Sequence, residues 1–163
     1  MAVDMFIKLE ASGLEGESND HKHKGEIDVL AWSWGVSQSG TFHTGGGGGA
    51  GKANVQDLSF TKWADKAGPK LIECCCSGEH IPKATLVVRK AGKTPLEYMK
   101  ITMDKCMVTS VSSGGSGGED KLTENVTLNF AKVKVEYEEQ DDQSGGSKAH
   151  KEVQYSIEET KIV

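Results

Sequence analysis

The chain has 163 residues, the size of one domain, and its formal net charge of −5 is unlike the basic surface that phosphate-driven nucleic-acid binding requires. It contains no apolar stretch near the roughly 20 residues of a membrane helix, and residues 1–7 lack a basic region followed by a long apolar core. We therefore expect one domain, residues 1–163, that is made in the cytoplasm and engages neither nucleic acid nor membrane.

Alternating apolar residues predict a first strand over residues 1–9 and a second over residues 26–38. In the second strand the apolar face shifts by one residue after Val29, which indicates a bulge or a bend between two sheets. Beyond that shift the opposite face carries only small residues, Ser33 among them. We expect this face to be either closely packed or bare.

A glycine-rich segment, residues 39–52, connects the second strand to a third over residues 52–63; we call it the arm. From Gly46 to Lys52 it matches most of a phosphate-binding loop, but Ala53 stands where Ser or Thr would hold magnesium. A strand pattern follows in place of the helix that would complete the anion site. The arm is therefore interpreted as a flexible connection, with nucleotide hydrolysis as an alternative hypothesis.

One α-helix is predicted, with Gly68 as the N-cap, Pro69 at the first helical position and Gly78 just beyond the end. Its expected apolar stripe comprises Leu71, Ile72, Cys75 and Cys76. The helix also holds three of the four cysteines in succession, a spacing that fits neither a disulfide framework nor a paired zinc motif. We therefore expect these cysteines to be unpaired and to pack as small apolar side chains.

The second half of the chain continues the strand pattern. Strands are predicted over residues 84–91, 96–113 and 121–138 and around residues 153–157, with a flexible linker at 114–118 and a mobile segment at 140–150. The pattern changes phase near Cys106 and again near Ala131, as in long strands that bend into a barrel. The predicted fold is all-β with one flanking helix, arranged as a barrel or sandwich.

The sequence shows no recognisable set of catalytic or metal-ligating residues. The five histidines fall in or beside loops, and His21 and His23 have no carboxylate or thiol at a recurrent metal-ligand spacing. The carboxylates of residues 136–142 are interpreted as a solvated face. We predict no catalytic, metal or cofactor-binding residue, and favour a self-assembling protein that uses its strand edges. A lipocalin-type barrel, with Trp and Met residues around an internal ligand, is the alternative.

Several local motifs, taken together, resemble those of a known protein family. They are residues 2–8, Gly16-Glu17-Ser18, residues 26–35, the arm, Cys76-Ser77-Gly78, residues 89–92 and residues 124–128. In combination they resemble the hemolysin-coregulated protein (Hcp) family, the tube subunit of type VI secretion systems. The resemblance runs from residue 1 to about residue 137.

This resemblance implies a two-sheet β-barrel that assembles into hexameric rings with a central channel. In the family, rings stack into a tube inside a contractile sheath, leave the cell with a valine-glycine-repeat spike protein and carry small effectors in the channel. It also implies a structural protein without cofactors that is secreted without a signal peptide. Three successive cysteines are not part of the family pattern, and disulfide-linked oligomers under oxidation are one consequence.

The resemblance gives roles to particular residues. Ser33, within the segment of residues 32–35, becomes a candidate for contact with the channel, with packing beneath the arm as the alternative. The arm is expected to reach a neighbouring subunit or ring, where glycines permit close backbone approach. Its candidate contact residues are Thr41, Phe42, His43, Gly45, Gly46, Gly47, Gly48, Gly49 and Lys52.

Overall fold

The computed structural model describes residues 2–163, so that Met1, the first residue of the predicted opening strand, lies outside the described residues. In chain order the strands are β1 (Val3–Leu9), β2 (Ile27–Ser33), β3 (Val36–Ser37), β4 (Asn54–Val55), β5 (Leu58–Trp63), β6 (His80–Lys90), β7 (Leu96–Gly114), β8 (Thr123–Gln140), β9 (Ser147–Ser156) and β10 (Lys161–Ile162). The helix α1 (Gly68–Ser77) follows β5, and a 3-10 turn, Phe42–Thr44, lies in the arm. Among residues 2–163, no helix has the length and apolarity to cross a bilayer.

The main sheet closes on itself into a barrel. Its order is β10-β9-β8-β5-β2-β1-β6-β7, and β8 also pairs with β7, so the strands from β8 round to β7 form a closed ring. β8 pairs with β5 through its first half and with β9 through its second half, which carries β9 and β10 beyond the barrel as an extension. β3 and β4 form a separate two-stranded sheet. The expected all-β barrel with one flanking helix is confirmed.

Apolar side chains from every strand of the ring fill the barrel. Ile7, Ile27, Leu58, Leu86, Met103 and Leu128 are all fully buried. A small barrel that is filled by its own side chains leaves no interior space for a ligand. Met103, one of the methionines that the lipocalin-type alternative would place around a ligand, is part of this core.

The phase changes predicted from the sequence coincide with irregularities in the strands. In β2 the register with β5 shifts between Val29 and Ala31, a bulge at the expected position. In β7 the buried face changes between Met103 and Cys106, where Lys105 has a φ of 53°. These irregularities let long strands bend around the barrel.

The helix ends as predicted, but its buried face differs from the predicted stripe. Gly78 is left-handed, with a φ of 71°, and its N–H donates to the Cys74 carbonyl. Leu71 and Cys74 are buried against the barrel, whereas Ile72 and Cys76 are exposed. The prediction of Ile72 and Cys76 as packed residues is wrong. The helix packs against the barrel with the face formed by Gly68, Leu71 and Cys74, and Ile72 and Cys76 lie outside that face.

The segments that connect the long strands depart further from the sequence predictions than the strands themselves do. The two strands predicted on either side of the arm are each interrupted, so that β3 and β4 leave the barrel as a ribbon at the base of the arm. β9 begins at Ser147, inside the segment predicted to be mobile, and β10 was not predicted at all. Short pairings of two residues carry too little periodicity to be recognised in sequence.

An ion-pair cluster holds the long β1–β2 connection on the barrel. Arg89 of β6 donates from its two terminal nitrogens to both carboxylate oxygens of Asp20, at 3.1 and 2.6 Å, and also to Asp4. Its guanidinium lies 5.1 Å from the centre of the Phe6 ring. The bidentate geometry makes this a strong and directional pair.

A histidine completes that cluster. His23 is only 7% exposed, stacks on Phe6 and places its ring nitrogens 2.8 Å from Glu26 and 2.7 Å from Glu97. His23 therefore lies in a connection between strands, as the sequence predicts, but it is buried there. Glu26 is a local partner three residues away, whereas Glu97 comes from β7, and the spacing of histidines in the sequence does not reveal that second contact.

The Asp20–Arg89 pair predicts acid-dependent stability. Hydrogen bonding to Arg89 holds the pKa of Asp20 well below its ordinary value of 3.8, so the pair stabilises the fold above that pH. The contribution is lost as the pH falls below the ordinary value toward the folded-state pKa. We expect Asp20→Asn to lower the urea-unfolding free energy at pH 7, and the difference from the parent to shrink below pH 3.8. Asp142→Asn, in an exposed turn, is the control; an Asp20→Asn deficit unchanged by pH would contradict the prediction.

Candidate functional site

The arm is a hairpin closed by its own hydrogen bonds. Thr41 Oγ1 donates to the Gly49 carbonyl at 3.0 Å and accepts from the Gly49 amide at 3.1 Å. Below these bonds Gly40 and Ala50 form a bridge, and Gln38 donates to the Gly51 carbonyl at 2.9 Å. The arm therefore has a defined path from the β3–β4 ribbon to its tip.

The tip carries an exposed aromatic ring. Phe42 is 82% exposed, and a Cβ added at Gly48 would lie 2.7 Å from its Cδ1 atom, so the ring lies directly against glycine backbone. Gly45, Gly46 and Gly47 follow with φ values of 63°, 66° and 90°, a left-handed run that side chains rarely adopt. His43 is exposed beside Phe42. The tip offers an apolar ring and bare backbone to solvent.

The predicted nucleotide loop lacks the element that it needs. After Lys52 and Ala53 the chain enters β4, not a helix, so no helix N-terminus faces the glycines of this segment. Lys52 instead lines a groove at the base of the arm together with Gly51 and Ala53. The structure does not support the nucleotide hypothesis.

An apolar groove of about 450 Å³ separates the base of the arm from the β8–β10 extension. Its apolar lining comprises Trp34, Val36, Val55, Val133, Val135, Val153, Tyr155 and Ile162. Several of these side chains are open to solvent: Val153 is 50% exposed and Ile162 is 74% exposed. Exposed apolar side chains gathered in one groove make it a candidate contact surface for another chain.

Ser33 lies on a different surface, the outer face of β2, β5 and β8. It is exposed and pairs with Ser59 across the strands. Around it small polar side chains bond to each other: Ser59 to Thr127 at 3.1 Å, and Thr61 to Asn125 at 2.7 Å. The result is a flat surface of small, mutually bonded polar groups.

Two of the four cysteines, Cys74 and Cys106, are buried thiols of low reactivity. All four are free; Cys74 and Cys106 are buried, and only Cys76 is exposed. Burial raises the pKa of Cys106 to about 12, and burial together with Glu79 raises that of Cys74. Thiols of this kind remain protonated at neutral pH and are poor nucleophiles.

Comparison with known proteins gives these surfaces a context. Residues 6–137 match a family described as type VI secretion system effector, Hcp. The curated Protein hcp1 of Pseudomonas aeruginosa is 60% identical over 141 residues, covering 86% of both chains. The chain belongs to the Hcp family. Members of this family are structural, secreted proteins of type VI secretion systems.

Solved Hcp structures share the complete fold. The crystal structure of Hcp1 from Salmonella typhimurium is 42% identical, with full coverage of both chains and a TM-score of 0.80. A structure described as a type six secretion system protein is 30% identical, covers 99% of this chain and all of its own, and has a TM-score of 0.92. Both alignments extend over nearly the whole chain, including the arm and the β9–β10 extension.

Proposed function

We propose that this protein is the inner-tube subunit of a type VI secretion system and assembles as a hexameric ring. The observation that carries the proposal is an Hcp barrel that exposes the Phe42 ring at the tip of its arm and an apolar groove at the arm's base. In the ring, neighbouring copies cover the groove and accept the arm. Rings then stack into a tube, which a contractile sheath expels together with a valine-glycine-repeat spike protein.

The arm supports this proposal through its internal bonding. It is held in shape by Thr41 and Gln38, so ordering it on a neighbour costs less entropy than ordering a free loop would. Phe42 supplies an aromatic group for burial at a subunit contact. The glycines at 45–49 admit close approach of a neighbour's backbone.

The surface around Ser33 is the candidate channel wall. Its small hydroxyl and amide groups already bond to each other, as in Ser59–Thr127 and Thr61–Asn125, so the surface is polar without strong charge. Such a wall lets diverse small effectors pass or rest in the channel without binding one of them tightly. We propose that Ser33 faces the channel, and that the protein leaves the cytoplasm by the type VI route without a signal peptide.

The mass in solution tests the ring. Size-exclusion chromatography with light scattering is expected to give a mass near six times the 17.5 kDa of one chain, with rings visible by negative-stain electron microscopy. Val153→Glu, which places a charge in the groove lining, is expected to shift the mass toward that of one chain because a buried unpaired charge is costly. Gln143→Glu, which adds the same charge in the exposed β8–β9 turn outside the groove lining, is the matched control. A parent protein that is monomeric at all concentrations would refute the proposal.

A further inference from the structure

The charged face of the β8–β9 extension contains a cluster that the assembly does not explain. Glu136 lies directly across from Glu152, and Glu138 lies across from His150, so these four side chains share one face at cross-strand distance. One oxygen each from Glu136 and Glu152 and one ring nitrogen of His150 lie within 4.8 Å of one another. Small side-chain rotations would bring these atoms to the shorter separations of ligands that share one ion.

The histidine is oriented by an outer carboxylate. Its Nδ1 atom hydrogen-bonds to Glu138 Oε1, and the other oxygen of Glu138 accepts a hydrogen bond from Ser147. The ring is thereby turned so that Nε2 lies 3.1 Å from Glu152 Oε2, toward the two remaining carboxylates. A carboxylate that fixes the far nitrogen of the ring is the usual outer partner of a metal-ligating histidine.

Lysine ammonium groups already lie beside the carboxylates of this cluster. Lys134 Nζ lies 3.6 Å from Glu136 and 3.3 Å from Glu152, bridging the two carboxylates. The carboxylates of Glu152 and Glu138 raise the pKa of His150, so the ring also competes for a proton. Lys100 of β7 adds a second ammonium near Glu138. A metal ion would therefore replace a proton on Nε2 and displace the Lys134 ammonium.

We propose that Glu136, His150 and Glu152 bind one first-row divalent transition-metal ion, for which Zn²⁺ is the best match. An imidazole nitrogen among the ligands favours Zn²⁺, Ni²⁺ or Cu²⁺ over Mg²⁺ and Ca²⁺, which prefer oxygen alone. Three protein ligands leave the fourth tetrahedral position to water. The ion would link β8 to β9 across their pairing and stabilise the extension independently of ring assembly.

Zn²⁺ titration by calorimetry at pH 7.5 tests the site, with the full chain carrying Cys75→Ser and Cys76→Ser so that the accessible thiols do not contribute. One ion per chain is expected. His150→Ala should abolish binding, and Glu138→Gln should weaken it about tenfold through the outer shell. Lys134→Gln should tighten it by removing the competing ammonium. His43→Ala, an exposed histidine of the arm, should change nothing.

The pH dependence gives a second readout. Zn²⁺ affinity is expected to rise with pH, because the imidazole and carboxylate ligands bind the ion only in their deprotonated forms. No binding to the parent, or binding that persists in His150→Ala with unchanged affinity, would overturn the proposal. Circular dichroism of each variant establishes that the barrel is folded, so loss of binding reports on the ligands themselves.

Discussion

Deletion of the five glycines at 45–49 is expected to abolish ring assembly while leaving the subunit folded. The deletion leaves residues 41–44 to connect the Gly40–Ala50 bridge, a length that a hairpin turn accommodates. Added side chains at Gly45, Gly46 and Gly47 would meet nothing within 4 Å, so these residues contribute no packing to the barrel. We expect the free energy of unfolding to change by less than about 1 kcal/mol.

Light scattering and urea unfolding of the same preparation separate the two effects. Deletion of Lys93 and Thr94, in the exposed β6–β7 turn, is the matched control and should leave both the mass and the stability unchanged. If the arm deletion removed as much subunit stability as assembly, the arm would be part of the fold rather than a contact for other copies. Phe42→Ala should give a smaller shift in the same direction, because the glycine backbone remains.

Replacement of Lys62 by Met is expected to cause the largest loss of stability in the chain, about 3–5 kcal/mol. Lys62 is fully buried, and its ammonium donates to Asp65 at 2.7 Å and to the Trp63 carbonyl at 2.9 Å. Glu124 Oε2 lies 3.1 Å away, an ion pair by distance that lacks hydrogen-bond geometry. Without the ammonium, two carboxylates remain buried together.

The same cluster fixes the start of α1. Asp65 accepts from the Ala67 amide at 3.0 Å, and a Cβ added at Gly68 would lie 2.7 Å from Glu124 Oε1, so the carboxylate lies against the first helical residue. Negative charge at a helix N-terminus is favourable. Lys62→Met combined with Glu124→Gln should therefore regain part of the lost stability in urea unfolding.

The control for Lys62 is Lys105→Met, which removes an ammonium from the exposed pair with Glu158 at 3.1 Å. Exposed ion pairs contribute about 0–1 kcal/mol, so little change is expected. A Lys62→Met variant as stable as this control would mean that water reaches the Asp65 and Glu124 carboxylates and screens them.

The long strands were predictable because side chains of a strand alternate between two faces, and the sequence records that alternation directly. Even the bulge after Val29 and the change of face in β8, from Phe130 to Val133, are visible as shifts in phase. The arm could also be found, since five successive glycines exclude regular structure. The short strands β3, β4 and β10 could not, because two residues carry no period.

The sequence by itself determined an all-β chain with one helix, a glycine arm and membership of a family recognisable from local motifs. Only the tertiary structure decided which charged groups meet. Lys62 reads as an ordinary polar position of a strand, yet it is buried between Asp65 and Glu124. His150 reads as an isolated loop histidine until the register of β8 and β9 places it beside Glu138 and Glu152. The alternation of side chains along a strand reveals which face of the sheet a residue lies on. It does not reveal the residue's neighbours, because those depend on how segments distant in the chain pair with each other.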